Sequence, residues 1–174
     1  IDGQTEYLWV NHGGGTYTDE SFRIPIEIGR SGNNFESEYS FTPLLTDIDA
    51  DGDVDLLLAS DFELSQVMEN EVGGDLFVDQ TMDVISDENG MGGAVADYDR
   101  DGDMDAATCG SLVTGEAVWY ENDGKGNFTR HPIGRNQGSY DLRTVDMDDD
   151  DDLDILIAGH SSSNLVWYEI GRAH

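Results

Sequence analysis

The chain has 174 residues and sets 8 Lys and Arg against 38 Asp and Glu, a formal charge of −30 at pH 7. That balance excludes a nucleic-acid binder, which needs a basic face, and gives no attraction to anionic lipid. No run approaches the ~18 apolar residues of a membrane-inserted span, and Cys109 stands alone, so an intrachain disulfide is impossible while the compartment stays open.

Taken in chain order, Ile1 is neither a starting Met nor part of a signal-like segment, so it reads as a processed or excised end. Leu8-Trp9-Val10-Asn11-His12-Gly13-Gly14-Gly15-Thr16-Tyr17 reads as strand, glycine-rich turn and strand. Three acidic loops follow: Asp47 to Asp55, Asp97 to Asp105 and Asp146 to Asp154, beginning 50 and then 49 residues apart. A short apolar approach leads into each one: Leu44-Leu45-Thr46, Ala94-Val95-Ala96 and Thr144-Val145. A short buried-type run leaves it: Leu56 to Ala59, Ala106 to Cys109 and Ile155 to Ala158. Runs of four or five apolar residues bounded by Gly, Ser or Asp favour β over helix. Next in each unit comes an alternating strand ending in a turn, clearest in Val118-Trp119-Tyr120-Glu121-Asn122-Asp123-Gly124-Lys125-Gly126-Asn127-Phe128. Val67 to Phe77 is a diverged copy, and Leu165-Val166-Trp167-Tyr168-Glu169 is a third. Asn-Asp-Gly followed by a second Gly supplies the positive φ of a tight hairpin.

The chain is therefore expected to be all-β, one unit over 1–174 built from a repeat of about four antiparallel strands. The frames are the second half of a unit over 1–34, complete units over 35–85 and 86–134, and a unit lacking its last strand over 135–174. Four-stranded units of ~40–50 residues mark the blades of a β-propeller, and closed propellers use four to eight. Roughly three and a half blades make an incomplete ring. The remaining blades come either from a longer chain or from further copies of this one.

Each loop has the form D-x-D-x-D-G-x-x-D. Carboxylates this close repel one another unless a cation lies between them, and oxygen-only donors select a hard ion, calcium before magnesium. Side chains at positions 1, 3, 5 and 9 and the carbonyl at position 7 are the expected ligands. These are Asp47, Asp49, Asp51, Asp55 and the Asp53 carbonyl; Asp97, Asp99, Asp101, Asp105 and the Asp103 carbonyl; and Asp146, Asp148, Asp150, Asp154 and the Asp152 carbonyl. Asp151 replaces the glycine of the third loop. Asp tolerates the left-handed region, yet this site is expected to be the weakest. The helix–loop–helix calcium hand fails as an alternative, because it needs Glu at position 12, where Leu58, Thr108 and Ile157 stand.

The three loops, the small-residue approach Gly92-Gly93-Ala94-Val95-Ala96-Asp97 and the Trp-Tyr-Glu-Asn-Asp-Gly strand and turn resemble the FG-GAP/VCBS repeat family, the propeller repeats also found in integrin α subunits. The resemblance spans nearly the whole chain, with Asp151 for Gly and Ile170 for Asn as departures. It implies about three structural calcium ions that stiffen the blade hairpins, ligands bound elsewhere on the propeller, and a location outside the cell or on its surface. The expected function is a non-catalytic adhesion or recognition module for glycan or protein. The alternative is part of a secreted carbohydrate-active enzyme of lyase or dehydratase type.

Other residues carry weaker signals. Trp9, Trp119, Trp167, Tyr120 and Tyr168, taken as equivalent repeat positions, are expected in blade-to-blade packing rather than as sugar platforms. Gly159-His160-Ser161-Ser162-Ser163 lacks the final glycine of a nucleophile elbow, and His12, His131, His160 and His174 have no zinc spacing. Cys109 reads as a small core residue. Glu116 and the pair Asp141 and Arg143 fit loops at a binding face and ordinary surface polars equally well.

Overall fold

The computed structural model describes residues 7–24, 40–60, 65–71, 73–80, 90–110, 115–160 and 162–170; Ile1, Ser161 and His174 lie outside them. The strands are β1 (Trp9–Asn11), β2 (Tyr17–Asp19), β3 (Ser40–Thr46), β4 (Asp55–Ser60), β5 (Gln66–Glu69), β6 (Val78–Asp79), β7 (Gly90–Ala96), β8 (Asp105–Gly110), β9 (Ala117–Asn122), β10 (Phe128–Gly134), β11 (Ser139–Val145), β12 (Asp154–Gly159) and β13 (Asn164–Tyr168). A single 3-10 turn, Ser21–Arg23, is the only helical element among the described residues. They form antiparallel sheets β1-β2, β3-β4-β5-β6, β7-β8-β9-β10 and β11-β12-β13. The architecture is all-β, made of incomplete propeller blades without a closed ring.

Strand alternation explains why these sheets stack. Successive side chains of a strand point to opposite faces, so a central strand feeds two cores at once. In β4, Leu56 and Leu58 join a core with Ile24, Met68 and Phe77, while Leu57 joins one with Ile48, Val67, Ala106, Val118 and Tyr120. In β8 the faces divide again, Ala106 to that second core and Ala107 with Cys109 to a third. There they meet Leu142, Ile155, Ile157 and Ile170 of the next unit. Full burial of each Leu or Ile contributes about 1.5–3 kcal/mol.

The first strands β3, β7 and β11 lie side by side, and there the sequence must be small. A Cβ on Gly92 would stand 2.9 Å from Cys109 Sγ and 3.0 Å from the Asp141 Cα of β11. The run of small residues before the second loop is thus a close approach between inner strands.

The tryptophans divide by register. Trp119 packs against the third core and stacks on His131, ring centroids 4.6 Å apart. Trp167 occupies the matching position, since Leu156 pairs with Trp167 as Ala107 pairs with Trp119. Trp9 does not. Asn11 pairs with Tyr17 as Asn122 pairs with Phe128, which puts Asn11 in the place of Asn122 and aligns Trp9 with Tyr120 rather than with Trp119. Trp9 is 58% exposed, whereas Tyr120 at the same register position is fully buried.

Gly92→Ala is expected to lower stability by about 1–3 kcal/mol in denaturant unfolding. Cys109→Ala should leave most of that loss in place, because the β11 backbone stays where it is.

Candidate metal centres

Each acidic loop joins the first and second strands of its sheet, so its ends are held at strand-pair distance before any side chain acts. Within the loop, side chains organise backbone amides in a repeated pattern. Gly52 N–H donates to Asp47 Oδ2 (3.1 Å), Asp51 N–H to Asp49 Oδ1 (3.2 Å) and Asp53 N–H to Asp51 Oδ1 (2.8 Å). The second loop repeats all three bonds, with Gly102 to Asp97 (3.2 Å), Asp101 to Asp99 (3.2 Å) and Asp103 to Asp101 (2.9 Å). Two left-handed residues turn each chain, Ala50 and Gly52, Arg100 and Gly102, Asp149 and Asp151. The glycines sit near φ 100°, whereas Asp151 takes 69°, closer to the left-handed well that Asp accepts.

The ninth-position aspartates anchor the loops to their sheets. Asp55, Asp105 and Asp154 are each 1% exposed. Their Oδ2 atoms accept the N–H of the second loop residue, Ile48 (2.7 Å), Tyr98 (3.1 Å) and Met147 (3.1 Å). Oδ1 of Asp55 and Asp105 accepts the N–H of Asn70 and Asn122 (2.8 Å each) from the third strand. Burial pushes the Asp105 carboxyl up to about 6, against the pull of the Asn122 and Tyr98 amides. Burial raises Asp55 and Asp99 as well.

These folds bring carboxylates together. Oxygens of Asp47, Asp49 and Asp55 lie within 4.8 Å of one another, as do those of Asp97, Asp99 and Asp101, and those of Asp146, Asp148 and Asp154. Asp51 and Asp105 are outside the triads of their own loops. The nominated seventh residues contribute through side chains too: the Asp103 carboxylate lies against Gly124, and Asp152 pairs with Arg100 at 2.8 Å. Asp47 Oδ1 and Asp97 Oδ1 are buried and accept no hydrogen bond. A buried carboxylate oxygen left unpaired inside a ring of like charges is costly, and a cation placed among those oxygens removes the cost. The donor set therefore fits a hard divalent ion in the first two loops.

The third loop differs. Asp146 spends Oδ1 on Asp150 N–H (3.2 Å) and Oδ2 on Asp151 N–H (3.1 Å). Glu169 joins Asp148 and Asp150 in a second triad within 4.8 Å. Glu169 and its counterpart Glu69 lie outside the nine-residue pattern, and the neighbouring Asp49 carboxylate raises the Glu69 carboxyl above its ordinary range. Their signal was present in the repeated Glu after Met68, Tyr120 and Tyr168.

The remaining candidates do not converge. His131 Nε2 bonds Glu121 (2.6 Å), His160 packs on Tyr140, and His12 bonds Thr18. Ser162 Oγ donates to the Gln137 carbonyl (3.0 Å) rather than to a histidine. Glu116 holds Arg130 and Arg135, and Asp141 holds Arg143 (2.7 Å). Cys109 is buried.

Residues 47–108, from the first aspartate of loop one into β8, match the family model described as an FG-GAP-like repeat. No curated protein matches the chain. Among the described residues, no helix is long and apolar enough to cross a membrane.

The raised carboxyls set a pH dependence. A carboxyl whose pKa is higher folded than unfolded stabilises fully below its unfolded value, about pH 4, and loses that contribution as pH rises through its folded value, about 6 for Asp105. In chelator the melting temperature is expected to rise as pH falls from 7 to 5. With a saturating divalent ion, where protons compete with metal, it should fall over the same range. Thermal scans with and without chelator compare the two slopes, and a common sign would contradict the assignment.

Proposed function

We propose that this chain, which carries an FG-GAP-like repeat over residues 47–108, is a calcium-stabilised, non-catalytic recognition segment of an extracellular β-propeller, with a glycan or a protein as ligand. The observation that carries the calcium reading is the buried, unpartnered Oδ1 of Asp47 and Asp97 within two carboxylate triads in equivalent hairpins. Calcium supplies two positive charges among oxygen donors. This chain's residues do the rest: the aspartate side chains fold the loop through its own amides, and Asp55, Asp105 and Asp154 tie it to the sheet. A cation held there joins the first two strands of a blade, a place suited to stiffening rather than to turnover.

Recognition is assigned to other loops because the acid clusters are occupied by this structural task. The propeller reading also says what covers the ends. Leu156, Ala158, Leu165 and Trp167 repeat the pairing positions of Ala107, Cys109, Ala117 and Trp119, through which the second full sheet takes the third. Leu165 is 66% and Trp167 41% exposed. Further blades of the same repeat, from a longer chain or from other copies, fit this face.

Chelation is expected to lower the melting temperature by about 10 °C or more, given a few kcal/mol per saturated site; an unchanged melt overturns the calcium reading. Asp49→Ala or Asp99→Ala should cost more stability in calcium than Asp148→Ala. A panel of polysaccharides and proteins tests the activity: binding without product release supports a recognition module, and product release overturns it.

A further inference from the structure

The loops are joined to one another as well as to their sheets. Asp55 Oδ2 accepts Ile48 N–H (2.7 Å), the Ile48 carbonyl accepts Asn122 Nδ2 (2.7 Å), and Asn122 N–H donates to Asp105 Oδ1 (2.8 Å). An unbroken hydrogen-bonded path thus runs from the ninth residue of loop one to that of loop two, across two sheets. Asn122 is 1% exposed and also donates Nδ2 to the Met104 carbonyl (3.0 Å) of its own loop. Its counterpart Asn70 donates Nδ2 to the Val54 carbonyl (3.2 Å) of its own loop and accepts from Arg23 (2.7 Å). In the third unit Ile170 stands there and enters the core instead.

Loop two reaches loop three by another route. Arg100, held at φ 66° between Asp99 and Asp101, places Nη1 2.8 Å from Oδ1 of the buried Asp152. Tyr98 adds a hydroxyl bond to Thr144 of β11 (3.0 Å). The conformation that gathers the loop-two carboxylates therefore also aims the Arg100 side chain and holds the Asn122 backbone.

We propose that Asn122 and Arg100 are positioning residues that couple cation uptake by the three loops, with loop two as the hub. A cation in loop two orders Asp99 and Asp101 around Arg100, and orders the Asp97–Asp105 hairpin beneath Asn122. Both neighbouring loops then meet part of their ordering cost in advance, which is positive coupling. The buried amide link to loop one is insulated from solvent. The ion pair to loop three, with Arg100 58% exposed, is screened by salt. The inference rests on the calcium reading and goes beyond it, because separate structural sites would fill independently.

Calcium titration followed by amide NMR tests it, with the N–H groups of Gly52, Gly102 and Asp151 reporting the three loops through their bonds to Asp47, Asp97 and Asp146. Asp99→Asn, which removes a loop-two ligand, is expected to weaken calcium binding read at Gly52 and at Asp151 by about fivefold or more. Adding Asn122→Ser should abolish the effect at Gly52 and keep it at Asp151, and adding Arg100→Gln should do the converse. Unchanged affinities at Gly52 and Asp151 in folded Asp99→Asn overturn the coupling and leave the calcium sites standing. Arg100 is a surface side chain, so its arm remains decisive if Asn122→Ser does not fold. Calcium that moves none of the three amides overturns the calcium reading and the coupling with it.

Discussion

A carboxylate buried at the foot of each acidic hairpin is the constraint on which the rest depends. Asp55 and Asp105 each accept one amide from their own loop and one from the third strand, so neither can leave without freeing two buried N–H groups. Yet Asp55 also adds negative charge within 4.8 Å of Asp47 and Asp49, and Asp105 adds its own beside the charge of Asp99. The geometry that makes the loop rigid is the geometry that makes it electrostatically uncomfortable, and protons or a divalent cation are the two remedies. Burial of Asp105, which pushes its carboxyl up to about 6, expresses that conflict in one residue.

The same economy governs the sheets. A blade here has no core of its own: Leu57 and Leu58, adjacent in one strand, belong to different cores, and so do Ala106 and Ala107. The three larger sheets are stabilised by one another through these shared cores, as expected of a repeat whose units cannot bury both faces alone. The loops at the ends of these strands inherit the arrangement. Asn122 and Arg100 cross between units because the cores beneath them have already set adjacent hairpins side by side.

Much of this was legible in the residues. The period-two runs, the turn glycines and the spacing of the loops are local signals, and the sheets of two, four, four and three strands follow them. The carboxylate triads were legible for the same reason, since a loop of nine residues can gather its own side chains. What escaped were relations between units. Trp9 matches Trp119 by residue type and Tyr120 by its distance from Asn11, and the pairing of Asn11 with Tyr17 decides for the second. Glu169 and Glu69 lie outside the nine-residue pattern and reach it only because the third strand runs beside the loop. Asp152 was counted for its carbonyl, although its side chain takes Arg100, 52 residues earlier.

The amino-acid sequence by itself determined the strands, the turns and the carboxylates of each acidic loop, because spacing along the chain sets which neighbours a short hairpin can gather. Only the tertiary structure decided which oxygens are left buried without a partner, which face each tryptophan takes and how one loop is tied to the next. Those depend on contacts between sheets, where the partners come from different repeats and residue order carries no record of distance.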